Sequence, residues 1–342
     1  MRSKHKNKRR AFLWRALAAA LALSASGLVR AEPTEITVAM QSGIGYLPLL
    51  IMQDKKLVEM HAKRNGLGDV NVKWLTIASG AAMNEALLAG KVHFAAGGLA
   101  PLILIWAETR GTEDVKGVAA LCTMPIYLNT SNPNIKSVRD FSEKDRIALP
   151  APKVSIQAVT LQMAVAQAFG EANFAKLDHL TVGKTHPAAH KALLEGTDGI
   201  TAHFGSPPFQ YQQLKNPKIH TVTTSYDVLN GVSSFNLVWA TKKFHDENPK
   251  TFAAFFAALK DAMALINSDP RAATEIYLRV SKDKTPAPEI EALLGDMLVQ
   301  FTTTPKGSWR YSNFMKRVGT IDQSPTSWKD LFFETVHEEF GS

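Results

Sequence analysis

The 342-residue chain holds a single cysteine, Cys122. An intrachain disulfide is therefore impossible, and so is a metal site built on paired thiolates. Cys122 follows the apolar run Val118–Leu121, where a thiol packs as a small, inert hydrophobe. Long apolar runs are scarce too. Ala16–Val29, about 14 residues rich in Ala, is too short to cross a bilayer comfortably. The short motifs of common catalytic folds are missing: no Gly-x-Ser-x-Gly elbow, no Walker-type loop, no Gly-x-Gly-x-x-Gly. Ser42-Gly43-Ile44-Gly45 is too small a glycine signal to hold a phosphate by itself. His186 and His190 are four apart and could share a helix face as metal ligands. The Pro-Ala-Ala between them lacks the Glu of a zinc protease, and no third ligand stands out. His186 reads more simply as a helix entrance before Pro187, and neither a metal nor a cofactor is expected.

Net charge is also absent from most of the chain. The formal value of +8 invites a nucleic-acid or membrane-surface partner. Eight of the 39 Lys and Arg residues, however, lie in residues 1–31, which contain no acid. The 31 that remain balance the 31 Asp and Glu, so the electrostatic case for nucleic acid disappears. The basic start, the apolar run and Val29-Arg30-Ala31 read together as a signal peptide over residues 1–31, cleaved after Ala31. Lys8-Arg9-Arg10-Ala11-Phe12-Leu13 also resembles the core of a twin-arginine export signal. No cysteine follows closely enough for lipid attachment, so a soluble exported protein is expected.

What the chain does have is regular alternation of short apolar strands and helices. With 45% hydrophobic and 20% charged residues it is globular, and its length suits two domains. Glu35–Met40 is a β-branched strand, followed by the turn Gln41–Gly45 and a helix from Tyr46 to Met60; Val70–Ile77 is a second strand. Thr76–Pro101 is the organising stretch. Ser79 is a natural N-cap, Ala81–Ala89 are helix formers, and Gly90 is a stop. His93–Ala96 reads as a strand, and Pro101 suits a first helical position. After extended runs at Lys116–Leu121 and Ile126–Asn129, a second series follows: strand Arg146–Leu149, a helix capped by Ser155, strand Leu177–Val182, helix Pro187–Leu194 and strand Gly199–Phe204. Extended runs at Ile219–Thr224 and Ser234–Thr241 precede successive helices, Thr251–Asn267, Arg271–Arg279, Pro288–Phe301 and Ser312–Val318. The alternation implies two α/β lobes, each a mostly parallel sheet flanked by helices, with the helical tail packed on the first. Lobe 1 is expected from residues 32–123 and 231–342, and lobe 2 from 124–230.

Ligands of open α/β sheets lie outside the carboxyl ends of the strands. Those ends bring forward Ser42, Gly43, Ser79, Gly80, Ala100, Ser155 and Ser206 as backbone-amide or hydroxyl donors. Tyr46 and Phe204 would supply an apolar wall, and Gln157 and His203 polar discrimination. Enlarging Gly80 is expected to impair binding and leave the fold largely intact. No arginine stands at these ends; Lys153 is the nearest basic residue, on a Pro-flanked loop. Glu338-Glu339 reads as a solvated face.

Three segments carry a family resemblance: ITVAMQSGIGYLPLLIMQDKKLVE, ASGAAMNEALLAGKVHFAAGGLAP and HPAAHKALLEGTDGITAHFGSPPF. In this order they resemble the nitrate/sulfonate/taurine family of substrate-binding proteins of ABC importers, across essentially the whole chain after the leader. The resemblance implies a two-lobed periplasmic-binding-protein-like fold (type II), hinge closure on a small anionic organic solute, periplasmic location and delivery to a membrane permease. It implies a monomer that is not an enzyme. The scaffold is shared with pyrimidine synthases of thiamine metabolism, which leaves an enzyme or a thiamine-precursor-binding protein as the alternative. Those synthases carry a cysteine-rich motif that this chain lacks.

Overall fold

The structure, a computed structural model, describes residues 31–342, so the leader up to Arg30, with its twin-arginine core, lies outside the described residues. The first half runs β1 (Glu35–Met40), α1 (Leu47–Lys55), α2 (Leu57–Arg64), β2 (Asn71–Thr76), α3 (Gly80–Leu88), β3 (Phe94–Gly98), α4 (Leu99–Glu108) and β4 (Lys116–Thr123). The second runs β5 (Tyr127–Thr130), β6 (Ile147–Leu149), α5 (Ile156–Phe169), β7 (Thr181–Gly183), α6 (His186–Glu195), β8 (Ala202–Phe204), α7 (Phe209–Gln213), β9 (His220–Thr224) and α8 (Ser225–Leu229). The chain then returns through β10 (Ser234–Ala240) to α9 (Lys242–Glu247), α10 (Pro249–Ser268), α11 (Pro270–Ser281), α12 (Ala287–Leu294) and α13 (Ser308–Arg317).

Among the described residues two five-stranded sheets result, in the orders β2-β1-β3-β10-β4 and β7-β6-β8-β5-β9. In each, four strands point one way. The exception is the strand that has just crossed from the other half: β10 is antiparallel to β3 and β4, and β5 to β8 and β9. The expected mostly parallel α/β plan is therefore present, with one reversed strand inside each sheet. β1, β4 and β10 are buried along nearly their whole length, as strands covered by helices on both faces must be.

Local chemistry explains the helix starts. Ser79 Oγ accepts the Ala82 N–H at 3.3 Å, and Ser155 Oγ accepts the Ala158 N–H at 3.2 Å. Each thereby satisfies one of the donors a helix leaves open at its first turn. Gly98 caps α4, and Pro101 is the third helical residue instead of the first, because β3 extends through Gly98. Gly196 ends α6 in a left-handed conformation at φ 66°.

The tail departs most from expectation. α10 lays Phe252, Phe255, Leu259, Met263 and Ile266 along one buried stripe and packs on α1 and α2. Phe255 stacks on Phe94 at 3.8 Å between ring centroids, tying that stripe to β3. α12 stops at Leu294, short of Phe301, since the chain turns at Gly295 and Gln300 pairs with Thr123 beside β4. The tail also does not keep to the first half. α13 packs against both α4 and α5, with Tyr311 Oη 2.7 Å from Thr160 Oγ1 and Arg317 paired to Glu171 at 2.9 Å. Glu339 is not a solvated acid: it accepts from Thr303 Oγ1 at 2.6 Å and from Thr304.

Candidate functional site

The turn after β1, the starts of α3 and α4, and the starts of α5 and α6 converge on one small cavity of about 20 Å³. Its wall takes Gln41, Ser42, Gly43, Gly45 and Tyr46 from the first turn, and Gly80, Gly98 and Pro101 from the two helix starts. The second half contributes Pro150, Ser155, Ile156, Gln157, His186 and Ser206. Phe235 and Asn236 of β10 close it. The space suffices for little more than one water-sized group, because Ile156 of one half lies against Gly98 of the other.

Four helices of at least eight residues begin at this wall: α3 at Gly80, α4 at Leu99 behind its cap Gly98, α5 at Ile156 and α6 at His186. Each presents unpaired first-turn amides and the positive end of its dipole, worth about 0.3–1 kcal/mol to a nearby negative charge. Among the described residues, no Asp, Glu, Lys or Arg stands in the wall. The cavity is thus electropositive without a cation.

Asn236 is fully buried, and neither its Oδ1 nor its Nδ2 has a hydrogen-bond partner among the described residues. Such a group ordinarily costs about 1–3 kcal/mol. Reading strand carboxyl ends misses it, because β10 is reversed and brings its amino end to the carboxyl ends of its neighbours: Asn236 sits opposite Gly98. Phe235 escapes attention for the same reason.

Of the residues singled out from sequence, Ser42, Gly43, Tyr46, Gly80, Ser155, Gln157 and Ser206 stand in the wall. Ser79, Ala100, His203 and Phe204 do not. Ser79 spends its hydroxyl on the helix cap, and Ala100 is buried inside the first turn of α4. Phe204 is a core residue, fully buried with the main apolar cluster. His203 lies one ring behind the wall, its Nε2 3.0 Å from His186 Nδ1, while His186 Nε2 is 3.2 Å from Gln157 Nε2. Both ring nitrogens of His186 are therefore engaged within the protein, which removes the metal-ligand pairing with His190. Burial pushes the His186 pKa down to about 4, and burial together with the neighbouring His186 and His190 holds His203 well below the ordinary value. Lys153 is exposed and points no charge at the cavity wall.

At Gly80 the close approach lies within one half. A Cβ there would lie 2.6 and 2.8 Å from ring carbons of Pro101, on the same half. Gly80→Ala is expected to destabilise the fold by about 1–3 kcal/mol through overpacking. Urea denaturation measures this, and an unchanged midpoint would mean that Pro101 yields freely.

A second, larger cavity of about 450 Å³ opens beside the first and shares Gln41, Ser42 and Gly43 with it. Leu50, Trp74, Phe209, Tyr277 and Val280 give it apolar surface, and Lys282 and Asp283 stand at its edge.

Three solved structures show what this architecture is similar to. The alkanesulfonate-binding protein SsuA of Xanthomonas axonopodis pv. citri, bound to MOPS, is 16% identical with a TM-score of 0.65, covering 85% of this chain and 92% of that one. The periplasmic aliphatic sulphonate-binding protein SsuA of Escherichia coli is 16% identical, with a TM-score of 0.62 and coverage of 89% and 93%. The periplasmic nitrate-binding protein NrtA of Synechocystis PCC 6803 gives 15%, 0.68, 87% and 84%. At such identities the likeness carries the fold alone, a two-sheet periplasmic-binding-protein-like architecture. No curated protein matches the chain. The family model of the NMT1-like family, by contrast, matches residues 30–280, and the chain belongs to that family.

Proposed function

We propose that this protein is the solute-binding component of an ABC importer, exported to the periplasm as a monomer, which captures a small anionic organic solute without altering it. The observation that carries the reading is Asn236, a buried amide with no partner, in a wall where four helix N-termini from both halves meet. A buried polar group left without a partner calls for an explanation, and a ligand is the simplest one. The acceptor end of the solute would sit at the inner cavity and its body in the 450 Å³ space beside it. Lobes 32–123 with 231–342 and 124–230 would close about the two crossings, Met124–Ile126 and Asn230–Ser233, with contacts to both lobes stabilising the closed form. Binding proteins for sulfonates and nitrate share the fold, which supports this solute class.

A thermal-shift series with MOPS, taurine, nitrate and a pyrimidine tests it. A sulfonate or nitrate at 100 times its Kd is expected to stabilise the protein by about 2.7 kcal/mol. Silence from all anions would overturn the reading. Asn236→Leu is expected to weaken that binding at least roughly tenfold, while the fold keeps or gains stability as two unpaired polar atoms leave the interior. Loss of stability instead would make Asn236 a structural residue.

A further inference from the structure

Behind the cavity wall, buried side chains form a continuous hydrogen-bonded line from Gln157 through His186, His203 and Gln213 to Asn129. All five are at most 6% exposed. We infer that this line fixes the direction of each hydrogen bond along it and turns the Gln157 amide so that its NH2 faces the cleft, restricting that face of the solute to hydrogen-bond acceptors. The assignment of solute class rests on the binding role proposed above; the direction of the line does not.

The direction follows from one backbone carbonyl. Asn129 Nδ2 donates to the Gln210 carbonyl oxygen at 3.0 Å, and Asn129 Oδ1 accepts from Thr221 Oγ1 at 2.9 Å. A carbonyl only accepts, so the Asn129 amide has a single orientation. The second hydrogen on Asn129 Nδ2 goes to Gln213 Oε1 at 3.1 Å. The other end of Gln213 is then Nε2, 2.6 Å from His203 Nδ1. An amide nitrogen only donates, so His203 Nδ1 accepts and the ring proton is on Nε2. That proton is given to His186 Nδ1 at 3.0 Å, which places the His186 proton on its own Nε2. Burial keeps both rings neutral at pH 7, so neither carries a second proton.

His186 Nε2–H therefore meets the Gln157 amide as a donor, and two donors 3.2 Å apart repel. The two ends of a glutamine amide are alike in shape, and exchanging them resolves the conflict. Gln157 Oε1 accepts from His186, and its NH2 is left for the cleft. Gln213 and Asn129 never touch the solute in this scheme; they act as positioning residues through two imidazoles.

The test reads the rings directly. In histidine-15N-labelled protein at neutral pH, long-range 1H–15N correlation is expected to show both His186 and His203 protonated at Nε2, with no solute added. An Nδ1-protonated ring at either position overturns the inference. The second measurement is MOPS affinity of Gln157→Glu, whose carboxylate still accepts from His186 but offers only acceptors to the cleft. A loss of at least roughly tenfold is expected, because the cleft-facing donor is replaced by an acceptor that repels the sulfonate. Equal or tighter binding overturns it. Should wild-type protein ignore MOPS while both rings carry Nε2–H, the sulfonate reading fails and the direction of the line stands.

Discussion

Gly98→Ala is expected to hold the two halves apart and weaken solute binding roughly 5- to 150-fold, with little change in the stability of either sheet. A Cβ at Gly98 would lie 2.7 and 2.9 Å from Ile156 Cγ2 and Cβ, and those atoms belong to the opposite half. Backbone strain plays no part, since Gly98 sits at φ −72° and ψ 163°, open to any residue. The added methyl can be accommodated by opening the cleft, which loads the contacts between the halves, the α13 bridge among them, and not the interior of either sheet. An overpacked contact costs about 1–3 kcal/mol, here charged against the closed form alone. Apparent affinity falls by the fraction of molecules able to close. Calorimetry with MOPS gives the affinity, and small-angle scattering gives the radius with and without it. A variant that binds and compacts like the wild type would show that Ile156 simply swings aside. The contrast with Gly80 is instructive: its clash is with Pro101 inside one half, so the same substitution there is paid in folding.

The second large effect is acid lability. His186 and His203 are buried and neutral, with folded pKa values below the ordinary 6.5 of an unfolded histidine. The unfolded chain then binds protons first as pH falls. Stability is intact above about pH 6.5 and is lost progressively toward pH 4. His186 alone, shifted to about 4, accounts for about 3 kcal/mol over that window. His203 acts in the same direction, as do the half-buried His93 and His190, lowered chiefly by burial. Asp140, held down by N–H bonds from Lys136 and Ser137, loses its contribution only below its ordinary value near 3.8. Asp178 and Glu59, raised chiefly by burial, act the other way in this window, since each binds its proton first in the folded state. Urea midpoints at pH 7, 6, 5 and 4.5 check this, and a flat profile would require a proton acceptor beside the pair.

Much of the site was legible because helix capping is local. Ser79 and Ser155 announce their helices by residue type alone, and the turns that follow strands fall where alternation puts them. Asn236 and Phe235 were hidden for a topological reason: which strand of a sheet is reversed depends on where the chain has been, and no short window records that. The His186–His203 contact joins a helix start to a strand, so its spacing of 17 residues carries no periodic signal. Phe204 misled because a residue at a strand end faces the cleft or the core according to pleat, and its neighbour His203 took the side toward the site.

The placement of β10 also makes the two sheets unequal in their dependence on distant sequence. The second sheet draws its strands from one continuous stretch, Tyr127 to Thr224, and closes on contacts within that stretch. The first sheet is different, for β10 lies between β3 and β4 and pairs with both. Until residues 234–240 arrive, β3 and β4 have no bond to each other and each shows a bare, apolar edge. Contacts between residues so distant in sequence form slowly. The sheet of the later half thus needs no residue beyond Thr224, whereas the sheet that begins the chain is complete only with a strand that lies beyond the whole of its neighbour in sequence and sits in its middle.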